Sequence, residues 1–287
     1  MLEKKALHKS LKRFFPKERH GQEVRWETPR WLNGATSNRL RPLKNNNVKI
    51  SKPMKKLAQA MFDEVFITKA DLVIVIDDVE LHNLDQESII AEHFRKAIEL
   101  VINKKGNDQS KCYRNILREK CSFHLLKPMM ESYFFGDIAA LQKTGISASI
   151  TPKLVHETDV ELFETNDPDP EWLKQCRDEN MKNSRNNLNW KYEKHPKNYL
   201  EHLIERSHPG MIYHETDQGK NALESIAWNK VPKCKSDTPF IRSLFEDIAD
   251  WFEIQNPMGY GDINKCVYPE KSVNSNDLIL RNLLIKV

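Results

Sequence analysis

The sequence predicts an α/β fold: a mostly parallel sheet flanked by helices, followed by a mainly helical C-terminal part. Three observations predict it. Two short apolar runs, residues 72–76 (LVIVI) and 122–126 (SFHLL), alternate with helix-periodic stretches, as a layered α/β structure requires. The first run is apolar on both faces, the mark of a parallel strand covered by helices. From residue 196 onward, three further segments carry helical periodicity.

Each element has its own warrant. Residues 3–15 place Ala6, Leu7, Leu11, Phe14 and Phe15 at helical spacing, and Pro16 closes the segment. EVRWET (23–28) reads as a short strand and 33–47 as a polar, basic loop. A helix over 54–66 precedes the strand at 72–76. Residues 85–104 form an amphipathic helix with Ile90, Phe94, Ala97, Ile98 and Val101 on one face, and NKKGNDQ ends it in a turn. After the strand at 122–126, Pro128 marks a helix start, with Met130, Tyr133, Phe134, Ile138 and Leu141 as its buried stripe. Residues 164–194 are polar and read as a long surface excursion. Helices are expected over 196–205, 217–228 and 238–252, the last with Thr238 as N-cap and Pro239 at the first helical position. The predicted organisation is a core over 1–150, a polar insertion over 151–195, and a helical region over 196–287 packed on that core.

Composition narrows the class. The chain has 287 residues, 39% hydrophobic and 30% charged, which fits a globular protein with a wet, charged surface. No apolar stretch approaches the roughly 18 residues of a membrane span, and the basic N-terminus lacks the apolar stretch of a signal peptide. Five scattered cysteines show neither zinc spacing nor a disulfide framework, so the expected compartment is the cytoplasm. Nine glycines and the absence of a phosphate loop, nucleophile elbow or kinase motif argue against nucleotide chemistry.

The net charge of +4 is unevenly distributed. Residues 1–56 carry 16 Lys and Arg against four acids, a net +12, which leaves 29 basic against 37 acidic residues, a net −8, for the rest. Such a basic segment either lies solvated or binds a polyanion. In the second case Lys4, Lys5, Lys12, Arg13, Arg39 and Arg41 are the candidates to grip DNA or RNA phosphates. Trp26, Trp31, Phe14 and Phe15 read first as packing and second as base-stacking residues.

The strand at 72–76 ends in Asp77, Asp78 and Glu80. These open an ordinary loop, or they hold a divalent cation of the magnesium type, which takes one or two carboxylates plus water and phosphate oxygens. The C-terminal end of a parallel strand is the usual ligand crevice of α/β sheets. Glu131 follows the second strand in the same way, either as a carboxylate stabilised by a helix N-terminus or as a further ligand. His82, His93 and His124 lie nearby and read as packed histidines.

The order of motifs resembles TOPRIM domains, which topoisomerases, primases and overcoming-lysogenization-defect nucleases share. It runs from IDDVE through an amphipathic helix to FHLLKPMMESYFFGD. It is closer still to a bacterial TOPRIM-like family often encoded beside an ATPase, through MIYHETDQGKNALESIAW and KCKSDTPFIRSLFEDIADWF. The likeness spans residues 3–252. It implies a magnesium- or manganese-dependent nuclease acting in anti-phage defence. Asp77 or Asp78 with Glu80 would form the acidic pair, Glu131 the helix glutamate, and an ATPase the partner protein. TOPRIM domains also carry a glutamate at the end of a first strand. Here Glu3 is the nearest acid and the first helix opens the sequence. The alternative expectation is a non-catalytic nucleic-acid-binding or regulatory subunit of an ATPase complex.

Overall fold

The structure, a computed structural model, describes residues 2–43, 49–231, 239–259 and 278–285. Over these residues it is a mixed α/β protein, 53% helical, with small sheets. In chain order the elements begin with helix α1 (Leu2–Lys12), strands β1 (Glu18–Arg19) and β2 (Gln22–Glu23), helix α2 (Lys52–Phe66) and strand β3 (Val73–Asp78). Helices α3 (Glu87–Lys104) and α4 (Ser110–Lys120), strand β4 (Cys121–Leu126) and helices α5 (Ile138–Lys143) and α6 (Pro170–Arg185) follow. Helices α7 (Pro196–Ser207), α8 (Lys220–Ser225) and α9 (Pro239–Phe252) precede strands β5 (Leu278–Leu280) and β6 (Leu283–Leu284). Among the described residues no helix is long and apolar enough to cross a membrane.

The chain divides into two compact units, each made of separated segments. The first takes the described parts of Met1–Trp31, Lys127–Thr238 and Phe252–Tyr260; the second takes those of Leu32–Leu126, Pro239–Trp251 and Gly261–Val287. Each unit is therefore discontinuous in sequence. The reason is packing: one apolar cluster of the second unit runs from Ala35 to Leu283, so distant segments complete one core.

In the second unit, β3 and β4 pair in parallel, Val73 opposite Cys121 through Asp78 opposite Leu126. The expected larger parallel sheet is therefore a two-stranded one among the described residues. β3 also runs two residues past the apolar stretch, so Asp77 and Asp78 are strand residues. Helix α2 starts where Ser51 accepts the Met54 N–H at 3.2 Å and Pro53 occupies the first turn. Phe94 of α3 stacks on Phe123 of β4 with ring centroids 4.2 Å apart. Helix α4, over residues that no sequence pattern assigns, buries only Leu117 and so shows no broad apolar face.

Every residue of β4 is buried, so its backbone must find partners on both sides. Asn282, between β5 and β6, supplies them on the side away from β3. Its Oδ1 accepts the Phe123 N–H at 3.0 Å, and its Nδ2 donates to the Phe123 carbonyl at 2.8 Å. The Arg281 N–H donates to the Cys121 carbonyl at 2.8 Å. Next to them His124 Nε2 lies 3.0 Å from Asp247 Oδ2 of α9, both side chains fully enclosed. The sequence reading of His124 as a packed residue holds.

In the first unit, β1 and β2 form a minimal hairpin around His20 and Gly21, both at positive φ, as a two-residue hairpin turn requires. This replaces the strand expected over 23–28, of which Glu23 lies in β2 and the Val24 N–H donates to the Lys17 carbonyl at 2.8 Å. The helix expected from Pro128 is instead a 3-10 stretch, Met130–Gly136, followed by α5. Asp137 breaks the periodicity: its carboxylate caps α5 through the Ala139 N–H and also accepts the Ala227 N–H at 2.8 Å. Ile138, expected in the buried stripe, is 65% exposed.

The polar excursion over 164–194 holds helix α6. Asp169 caps it by accepting the Glu171 and Trp172 N–H groups, and Pro170 is its first residue. Only Trp172, Cys176 and Asn183 are buried along it, too narrow a stripe for composition to reveal. The helix expected over 217–228 is a π turn, Glu215–Gly219, leading into the shorter α8. α9 begins at Pro239 as expected; Thr238, its expected N-cap, lies outside the described residues.

Two outcomes test this fold. Replacing Asn282 with Ala leaves two buried Phe123 backbone groups without partners. It should lower unfolding free energy by about 2–4 kcal/mol, measured by urea denaturation. His195 caps α7 by accepting the Asn198 N–H on Nδ1, and burial, then the charge of Lys197, depress its pKa to about 4 from 6.5. Between those values the unfolded chain binds a proton that the folded one does not. Stability from this group is therefore full above pH 6.5 and is lost as pH falls toward 4. Thermal unfolding of His195→Asn, which keeps a capping oxygen but does not titrate, should show a flatter pH dependence across that window.

Candidate functional site

The acidic end of β3 is built from the backbone outward. Beyond Asp78 the ladder continues one residue, with the Val79 N–H donating to the Leu126 carbonyl at 2.8 Å and the Val79 side chain fully buried. The chain must then turn away, and it does so at Glu80, with φ 64° and ψ 153°. That region belongs almost exclusively to glycine and costs a side-chain-bearing residue about 1–3 kcal/mol. The Asn83 N–H donates to the Glu80 carbonyl at 3.0 Å, closing the short turn that follows.

Four side chains then hold segment 34–41 against this turn, all within the second unit. Asp77 Oδ2 accepts the Ala35 N–H at 3.0 Å. The fully buried Asn83 accepts the Leu40 N–H at 2.9 Å and donates to the Thr36 and Asn38 carbonyls at 2.8 and 3.2 Å. His93 Nε2 donates to the Arg41 carbonyl at 2.8 Å. Gln86, with its amide oriented to satisfy both neighbours, donates to the Leu40 carbonyl and accepts from the Arg39 guanidinium, each at 2.7 Å. Gly34 permits the close approach: a Cβ there would stand 3.0 Å from Ser37 Oγ and 3.8 Å from Asp77 Oδ1. The Arg39 and Arg41 side chains remain exposed on the segment so held.

Asp77 has a perturbed carboxyl. Burial pushes its pKa up to about 7, opposed by the Ala35 and Asp78 N–H groups and reinforced by the charge of Glu80. Both of its oxygens already accept backbone N–H groups, Oδ2 from Ala35 and Oδ1 from Asp78. Its first role is therefore to anchor the loop.

The other predicted residues divide between the two units. Asp77, Asp78 and Glu80 sit together at the end of β3 in the second unit. Glu131 is buried in the 3-10 stretch of the first unit. There its charge acts on Lys197, which pairs with Glu215 at 2.6 Å. Arg39 and Arg41 lie in the second unit, whereas Lys4, Lys5, Lys12 and Arg13 belong to the first. Lys12 is exposed. The Arg13 guanidinium donates to the Glu224 and Ile226 carbonyls, tying the end of α1 to the end of α8. Among the described residues, no three His, Cys, Asp or Glu side chains gather closely enough to hold a metal ion by themselves.

The clamping residues Asn83 and Gln86 were absent from the sequence reading. For Asn83 there was a faint signal, a short neutral amide between Leu81 and Leu84; for Gln86 there was none. The strain at Glu80 generates its own test. Glu80→Gly removes the positive-φ penalty and should raise the unfolding free energy by about 1 kcal/mol or more, while deleting the carboxylate. Calorimetric unfolding of the two proteins side by side measures it. Compared with protein-family models, curated proteins and solved structures, the chain matches none.

Proposed function

We propose that the acidic end of β3 is the metal-binding centre of a TOPRIM-like nuclease that hydrolyses phosphodiesters of DNA or RNA. One observation carries the reading: a non-glycine residue, Glu80, is held in strained backbone beside Asp77 and Asp78, under a loop that presents two exposed arginines. Strain of this kind collects at functional sites, where surrounding contacts over-determine the geometry. The order of motifs along the sequence supports the same reading.

The residues fit a magnesium or manganese ion of the kind that takes only one or two protein carboxylates and completes its shell with water and phosphate oxygens. Asp78 and Glu80 would hold it, and Asp77 would position the Arg39–Arg41 loop. The ion supplies Lewis-acid neutralisation of phosphate charge and activation of water. Arg39 and Arg41 would bind flanking phosphates, giving an affinity that falls with salt. Glu131 stands outside this proposal, because its described surroundings are those of the first unit. Service in anti-phage defence with an ATPase partner is the biological setting that the motif order implies.

A second reading is favoured by the lack of a three-ligand cluster among the described residues. It is a non-catalytic nucleic-acid-binding or regulatory subunit of an ATPase complex. One set of measurements separates the two. Calorimetric titration with Mn²⁺ should show binding that Asp78→Asn and Glu80→Gln abolish. Both substitutions should abolish cleavage of labelled DNA or RNA at an unchanged unfolding midpoint. Cleavage unchanged in both variants would overturn the nuclease. Nucleic-acid binding without Mn²⁺ binding, with a salt slope reduced by about 0.9 per lost phosphate contact in Arg39→Ala and Arg41→Ala, establishes the second reading.

A further inference from the structure

The first unit contains a cleft of about 420 Å³ where the N-terminal turn of α6 meets one face of α7. Helical spacing brings Asn198, Glu201, His202 and Glu205 to that face, and Asp169 and Glu171 stand at the start of α6. Four carboxylates thus line the cleft together with the cation Arg206. That cation is already engaged, 3.1 Å from Asp167 and 3.4 Å from Asp169. Glu205 receives the Gly210 N–H on both oxygens. Among the described residues neither Glu171 nor Glu201 forms an ion pair, though the charge of Lys197 acts on Glu201.

A second observation points to a ligand. His202 is 6% exposed, its ring between Trp172 at 5.1 Å and Tyr199 at 6.3 Å. Its Nε2 has no hydrogen-bond partner. Asp169 Oδ1, on the cleft wall, is 3.8 Å away and out of hydrogen-bond reach. A buried ring nitrogen without a partner costs about 1–3 kcal/mol, and a ligand in the cleft would satisfy it. Burial lowers the His202 pKa, which favours the neutral ring, and with its hydrogen on Nδ1 that ring leaves the Nε2 lone pair to accept a hydrogen bond. The surrounding carboxylates repel anions, so the ligand is a cation and brings the hydrogen as donor. The cleft falls in the size range of small-molecule sites and is far larger than a metal ion needs.

We propose that this cleft binds a small organic cation with N–H donors, a primary amine or guanidinium. One N–H would be donated to His202 Nε2, and the positive charge would face Asp169 and Glu201. The inference does not rest on the nuclease reading, whose residues lie in the other unit.

Isothermal titration of the full chain with agmatine, which carries both cationic groups, tests it. Saturable one-to-one binding is expected, and tetramethylammonium, which has charge but no N–H, should fail to compete. His202→Phe keeps the ring packing and should weaken agmatine binding about tenfold, the equivalent of one hydrogen bond. Glu201→Gln, an exposed and isosteric change that leaves folding intact, should weaken it comparably. The absence of binding heat, equal competition by tetramethylammonium, or unchanged affinity in either variant would overturn the proposal.

Discussion

A parallel pair of strands cannot satisfy its own edges, and the second unit is arranged around that constraint. β4 is buried along its whole length, yet β3 pairs with only one of its sides. An unpartnered peptide group in such a place is expensive. Asn282 meets the need with a single side chain, its amide copying the donor and acceptor of a neighbouring strand at Phe123. Residues more than 150 positions apart in sequence are thereby joined, and the segments of the unit cannot be separated without exposing that strand. The neighbouring His124–Asp247 pair draws α9 into the same polar centre.

The acidic end of β3 follows from the same constraint. Val79 remains in the ladder and is buried, so the next residue has to carry the whole change of direction. Glycine would do this without strain; the chain has Glu80. Asn83 and Asp77 then use buried hydrogen bonds to bring a basic loop over the turn. The loop that carries Arg39 and Arg41 is thus held through its backbone groups. That leaves the Arg39 and Arg41 side chains exposed.

Much of this was legible in the sequence. Helices α2, α3, α7 and α9 announced themselves through apolar periodicity and proline placement, and both strands of the parallel pair through their apolar runs. Other elements were hidden for physical reasons. α6 rests on one tryptophan, a cysteine and an asparagine, a stripe too thin to stand out in a polar stretch. The 3-10 segment around Glu131 has helix-like spacing, but Asp137 is drawn to the Ala227 N–H, 90 positions away, and interrupts it. Arg13, a candidate phosphate-binding cation in the sequence, donates to the carbonyls of Glu224 in α8 and of Ile226 just beyond it.

The sequence by itself determined the local choices: which stretches become helices or strands, where the charges concentrate, and that three carboxylates close the first parallel strand. These follow from periodicity, capping and composition, which are properties of neighbours along the chain. Only the tertiary structure decided what those residues do together. It assigned Asp77 to the loop and put Glu80 under strain. It placed Glu131 beside Lys197 and sealed β4 with an asparagine from the distant β5–β6 hairpin. Such pairings are set by the need to satisfy buried polar groups, and their partners lie too far along the chain for any local pattern to record them.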